Sequence, residues 1–175
     1  VTSNAIQISR ATLEQSDLLA KLGAETFQES FRAANRAEDM AAHLHRTYAP
    51  AIVAEHLADP KCTYFIAHKN ELPAGFAKLR THYRPDCISE KNIVELHQIY
   101  VLRAFHGQKV GAALMRACLD AATRKGYDFL WLGVWENNIR AREFYQKWGF
   151  EEVGSHAFVL GADFQTDLIL KLSLK

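Results

Sequence analysis

The sequence has little with which to crosslink itself or to span a membrane. Its three cysteines, Cys62, Cys87 and Cys118, are odd in number and far apart, and no C-x-x-C pair occurs. That excludes a disulfide framework and a cysteine-based zinc site, and it predicts free thiols in a reducing compartment. No 18 apolar residues run together, so no membrane-spanning helix is expected. Val1 to Arg10 lacks a basic segment followed by an apolar one, and the expectation is a soluble, cytoplasmic protein. An excess of one charge is also missing, with 21 Lys and Arg against 20 Asp and Glu. The basic residues form no stripe interleaved with aromatics, so neither nucleic acid nor a membrane surface is an expected partner. Neither G-x-x-x-x-G-K-[ST] nor G-x-G-x-x-G is present, and His43 and His45 have no second half of a metal motif, so no metal is expected. No repeat, low-complexity tract or long linker divides the 175 residues, about half of which are apolar, so 1–175 reads as a single domain.

What is present is an alternation of strand and helix patterns. Ile6 and Ile8 mark a short first strand. Thr12 and Gln15 form a capping-box pattern ahead of a helix with Leu18, Leu22, Phe27 and Phe31 at helical spacing. Arg36 to Tyr48 is a second helical region, and Pro50 suits the start of a short helix ending near Asp59-Pro60. Thr63–His68 and Gly75–His82 read as a hairpin, and Asn92–Leu102 as a third strong strand. A loop then leads into a helix striped by Val110, Leu114, Cys118 and Ala121 and ended by Gly126. The apolar run Phe129–Val134 does not alternate, as expected of a strand covered on both faces in a parallel pair, which completes a right-handed β-loop-α-β unit. A last helix spans Asn138 to Trp148, and two final strands flank Gly161.

Two constellations carry chemistry. The loop His106-Gly107-Gln108-Lys109-Val110-Gly111-Ala112 links a strand to a helix N-terminus, where free backbone N–H groups and the helix dipole suit a pyrophosphate; an ordinary strand-to-helix turn is the competing reading. Asn138 and Tyr145, seven residues apart, share one helix face and could address one ligand, unless Asn138 merely caps the helix and Tyr145 belongs to the core. On the third strong strand, strict alternation places Glu95, His97 and Ile99 on one face, and Leu96, Gln98 and Tyr100 on the other.

These segments resemble the two acetyl-CoA motifs of the GNAT acetyltransferase superfamily. N-x-x-A-x-x-F-Y-x-x-x-G-F is matched in full by Asn138, Ala141, Phe144, Tyr145, Gly149 and Phe150. The Q/R-x-x-G-x-G/A turn is matched imperfectly, with His106 at the Gln/Arg position, Lys109 at the first glycine and Gly111 in place; a register starting at Gln108 restores the pattern but lengthens the approach by two residues. Glu25-Thr26-Phe27, Leu132–Asn137, Gly154-Ser155-His156 and Gln165–Leu168 are similar to PaiA-like spermidine/spermine acetyltransferases.

The resemblance implies an α/β (α+β) GNAT fold: a mixed central sheet of about seven strands, four helices, and splayed parallel fourth and fifth strands. It implies an enzyme that transfers acetyl from acetyl-CoA, without a metal, to a primary amine of a small molecule such as a polyamine, by direct attack in a ternary complex. A protein N-terminus, an amino acid, or a non-catalytic role as an acyl-CoA-binding regulator are the alternatives, and a homodimer is an expectation from relatives alone. Tyr145 would be the general acid, Glu95 the base with His97 assisting, and a backbone N–H of Ile99, Tyr100 or Val101 would polarise the acetyl carbonyl. The loop from His106 to Ala112 and Asn138 would hold the cofactor. Glu25, Glu29, Trp135 and His156 would line the acceptor groove, with Glu38 and Asp39 in the same acidic region.

Overall fold

The computed structural model describes residues 5–160 and 163–175; Gly161 lies outside the described residues. In chain order the elements are β1 (Ile6–Arg10), α1 (Ser16–Phe31), α2 (Ala37–Tyr48), α3 (Pro50–Ala58), β2 (Cys62–Lys69), β3 (Leu72–Arg80), β4 (Ile93–Val101), α4 (Val110–Arg124), β5 (Phe129–Trp135), α5 (Ile139–Lys147), β6 (Glu151–Leu160) and β7 (Asp163–Ser173). The helical region before the sheet breaks at Ala49-Pro50, because a proline tolerates only the first turn of a helix, so α2 and α3 are separate elements. The capping box forms, with Gln15 Oε1 accepting from the Thr12 N–H at 3.1 Å, although it opens one 3₁₀ turn ahead of α1.

The seven strands run in the order β1-β2-β3-β4-β5-β7-β6, antiparallel throughout except for β4 and β5. That pair is joined through α4, as a parallel crossover requires. One face of the sheet packs on α4 and α5 through Val94, Leu96, Leu130, Leu132, Val134, Leu114, Met115 and Tyr145. The other face packs on α1, α2 and α3 through Leu19, Leu22, Phe27, Tyr48, Val53, Tyr64, Ile66 and Phe76. Gly23 lets these helices close together, since a Cβ there would lie 2.3 Å from the Tyr48 ring. No helix among the described residues is long and apolar enough to cross a membrane.

Two departures from regular pairing make the site. β4 and β5 pair only at Ile93–Phe129, Val94–Leu130 and Glu95–Trp131, and beyond these residues the strands separate. On the opposite edge of β4, Lys78 pairs with Gln98 but Leu79 pairs with Leu96, leaving His97 as an extra residue in a bulge. The bulge overturns the strict alternation expected for this strand. Ile99 joins Val94 and Leu96 on the α4 side. Gln98 and Tyr100 turn toward α1 and α2, where Gln98 bonds the Tyr48 hydroxyl at 3.0 Å.

Candidate active site

Where β4 and β5 part, a cleft of about 340 Å³ opens on the α1–α2 side of the sheet. Phe27, Phe31, Tyr48, Tyr100 and Trp135 wall it. Arg80, Glu95, His97 and Gln98 line its β3–β4 side, and Gly133, His156 and Asp167 its β5–β7–β6 side. Tyr145 reaches it from α5, having its ring in the core of the α4–α5 layer and held by edge contacts to Phe144 and Phe150. Eight of the expected site residues, Glu95, His97, Ile99, Tyr100, Trp135, Asn138, Tyr145 and His156, thus meet around one opening.

Their states differ. Glu95 is 5% exposed and bound in a bidentate pair by Arg80, Nε to Oε2 at 2.5 Å and Nη2 to Oε1 at 3.1 Å. A carboxylate offers about four acceptor positions, so the pair still leaves Glu95 able to accept from water. His97 Nδ1 is buried without a hydrogen-bond partner. Burial, and then the positive charges of Arg80 and Lys78, hold its pKa well below the usual histidine value, so the ring is neutral near pH 7. Burial raises the Tyr145 phenol well above its ordinary range and keeps it protonated. Burial also raises the Asp167 carboxyl, partly offset by His156, whose Nε2 lies 4.0 Å from Oδ2.

The loop before α4 has the form of an anion cradle. Gly107 and Lys109 both take positive φ, 75° and 66°. Lys109 thus adopts the backbone that glycine adopts most readily, which suits the register placing it at a glycine position. The first helical bond of α4 runs from the Ala113 N–H to the Lys109 carbonyl, so the N–H groups of Val110, Gly111 and Ala112 precede the ladder. The side chains of His106 and Gln108 are turned to the loop itself. His106 Nε2 donates to the Val101 carbonyl at 2.8 Å while Arg140 donates to Nδ1 at 2.6 Å, and Gln108 bonds the Ala104 carbonyl. Asn138 caps α5, its Oδ1 accepting from the Ala141 N–H at 3.2 Å, and also lines the cleft.

Glu25 and Glu29 are not brought to the cleft. The α1 face that turns inward carries Leu22, Thr26 and Phe27, which leaves Glu25 exposed. Glu29 is bound to Arg103, accepting its backbone N–H at 2.8 Å. Glu38 and Asp39 stand exposed or nearly so in the first turn of α2. Sequence reasoning missed Arg80 and Asp167. Two cations in an apolar strand, Lys78 and Arg80, were a signal of buried pairing partners; Asp167 lies in the PaiA-like segment Gln165–Leu168, but the resemblance gave it no role.

A mixed sheet with one splayed parallel pair, a cradle at a helix N-terminus behind it and a buried phenol beneath the gap defines an acyl-transfer fold. The profile of the Acetyltransferase (GNAT) family matches residues 24–150, and the chain belongs to that family of acyltransferases. An uncharacterised N-acetyltransferase of Lactobacillus delbrueckii subsp. lactis is 30% identical over 169 residues, 97% of this chain and 96% of that one. One of Mycobacterium tuberculosis is 32% identical over 158 residues, 90% and 97% of the two chains. Among solved structures, PaiA N-acetyltransferase from Thermoplasma acidophilum in complex with coenzyme A shares the fold with a TM-score of 0.80 at 18% identity, covering 97% of this chain and 99% of the other. YncA of Salmonella typhimurium, with acetyl-CoA, does so at 0.67 and 19%, covering 98% and 95%.

Proposed function

We propose that the chain transfers the acetyl group of acetyl-CoA to a primary amine of a small molecule, by direct attack, in the reducing cytoplasm. The observation that carries this reading is the gap beyond Glu95 and Trp131, which has Tyr145 on one side of the sheet and a lined acceptor cleft on the other. The N–H groups of Val110, Gly111 and Ala112 suit a diphosphate, and the separated strands suit an extended amide-bearing arm. Acetyl-CoA supplies the activated acyl carbon.

The chain's residues manage two protons. An alkylammonium titrates near about 10.4, so its nitrogen must lose a proton before a C–N bond can form. Water accepting from it can in turn donate to Glu95 and to the neutral, unpartnered His97 Nδ1. As the C–S bond breaks, Tyr145 gives its proton, or a hydrogen bond, to the sulfur. The buried thiols Cys62 and Cys118 and the exposed Cys87 are all free, which fits the proposed compartment.

The test is thiol release from acetyl-CoA across monoamines, polyamines, amino acids and peptides, with calorimetry of acetyl-CoA alone. Turnover with a small primary amine is the expected result. Acetyl-CoA binding without thiol release from any amine would replace the enzyme with an acyl-CoA-binding regulator.

A further inference from the structure

One carboxylate of the acceptor cleft has no hydrogen-bonded cation. Among its described lining residues the carboxylates are Glu95 and Asp167, and the only Lys or Arg is Arg80. Arg80 and Glu95 neutralise each other through two hydrogen bonds. Of the histidines, His43 and His97 are kept from charging chiefly by burial. Asp167 is left with His156 at 4.0 Å, beyond hydrogen-bond range. Its carboxylate faces the cleft beside Gly133, where a Cβ would lie 3.4 Å from Oδ2. The missing side chain at Gly133 keeps the approach to Asp167 open.

The walls around this carboxylate are aromatic. Phe31 sits with its ring centroid 6.4 Å from both Tyr100 and Trp135, and Phe27 is 4.6 Å from Phe31. Tyr100, Asp167 and the Tyr145 phenol line the same cleft. Aromatic faces beside a lone carboxylate attract an ammonium by charge and by cation–π contact, and they cover an apolar body next to it.

Resting on the acetyltransferase reading above, we infer that Asp167 anchors the acceptor's ammonium and that the acceptor is a hydrophobic monoamine, one ammonium on an arylalkyl or alkyl body. Two classes fit less well for the same reason. An amino acid brings an α-carboxylate close to Asp167, with no Lys or Arg among the described lining residues free to receive it. A polyamine brings further ammonium groups to a cleft whose second carboxylate is already taken by Arg80, while Glu29 outside it is taken by Arg103.

The experiment measures kcat/KM of the full chain with phenethylamine, tyramine and butylamine against phenylalanine, tyrosine, putrescine and spermidine. The monoamines should exceed the polyamines by at least about tenfold and their parent amino acids by about a hundredfold. Asp167→Asn, nearly isosteric, should raise KM for phenethylamine about 10- to 100-fold while leaving acetyl-CoA affinity unchanged. It should also abolish the wild-type preference for phenethyltrimethylammonium over its neutral carbon isostere as competitive inhibitors. Spermidine, an amino acid or a peptide as the best acceptor would overturn the inference and leave the acetyltransferase standing. An unchanged KM in Asp167→Asn would overturn it as well. Silence with every amine would instead remove the enzymatic reading beneath it.

Discussion

Replacing Tyr145 with phenylalanine isolates a single hydroxyl. The ring keeps its neighbours, Phe144 at 5.5 Å and Phe150 at 5.7 Å between centroids, so stability should change by less than about 0.5 kcal/mol. Burial holds the phenol protonated across the working range, which is the state a proton donor needs. The departing thiolate has a parent pKa near about 8.5, and general-acid assistance is worth roughly 100-fold or more, about 2.7 kcal/mol. Single-turnover kinetics with saturating amine should therefore show the rate constant of acetyl transfer lowered about 100-fold, with acetyl-CoA affinity within about twofold. Single turnover is needed because slow product release could hide the chemical step. A second arm uses an acetyl thioester of a more acidic thiol, whose departure needs less help, so the deficit of the variant should shrink. A phenylalanine variant that turns over within about threefold of the parent would refute the role of the hydroxyl. A deficit independent of the leaving thiol would show that the hydroxyl acts at some other step.

Lys109→Gly should stabilise the fold by about 0.5–1 kcal/mol, because the αL backbone costs a side-chain-bearing residue about 1–2 kcal/mol and the greater freedom of glycine when unfolded returns part of it. Thermal unfolding would show this as a rise of about 1–4 °C, and a fall would contradict the strain. Lys78 is 2% exposed, with Nζ 3.1 Å from His56 Nδ1, and burial lowers its pKa from 10.5 to about 8. Between pH 8 and 10.5 the unfolded chain binds the extra proton, so stability should rise with pH by on the order of 1–3 kcal/mol from this group. The cost of burying the charge is fully present below pH 8. Lys78→Met should flatten the rise between pH 8 and 10 in urea titrations, and an unaltered profile would exclude Lys78 as its source. Arg80→Leu should cost about 3 kcal/mol by leaving Glu95 buried and unpaired, and adding Glu95→Leu should recover much of that loss. Additive losses in the double-mutant cycle would mean that the pair is not coupled.

Much of the architecture was legible because its signals are local. The stripe Val110, Leu114, Cys118, Ala121, the stop at Gly126 and the unbroken apolar run of β5 each specify an element without reference to the rest of the chain. Tyr145 and Asn138 were legible as a motif, and in the structure Asn138 caps α5 and Tyr145 belongs to the core while both line the cleft. The faces of β4 were not legible, because period-two reasoning assumes an uninterrupted ladder and a single extra residue at His97 reverses it. The acidic groove on α1 failed for a related reason. Helical spacing sets which residues share a face, but the packing of Leu22, Thr26 and Phe27 decides which face turns inward. Asp167 is 72 residues from Glu95 and 87 from Arg80 in sequence, and only the order β3-β4-β5-β7 sets it across the cleft from them.

The splay also explains why a parallel pair serves this chemistry. A hairpin turn would hold two antiparallel strands together along their length, whereas β4 and β5 are tied only through α4 and can diverge after three residue pairs. Their gap-facing N–H and C=O groups then need partners other than each other. One of these needs is met internally, by His106 Nε2 donating to the Val101 carbonyl. The others favour an extended ligand that carries its own amides, in the manner of an added strand. The layers fix the rest: Tyr145 comes up from the α4–α5 side and Asp167 faces the α1–α2 side. The phenol and the carboxylate therefore stand on opposite faces of one sheet and address the same space only where two strands have come apart.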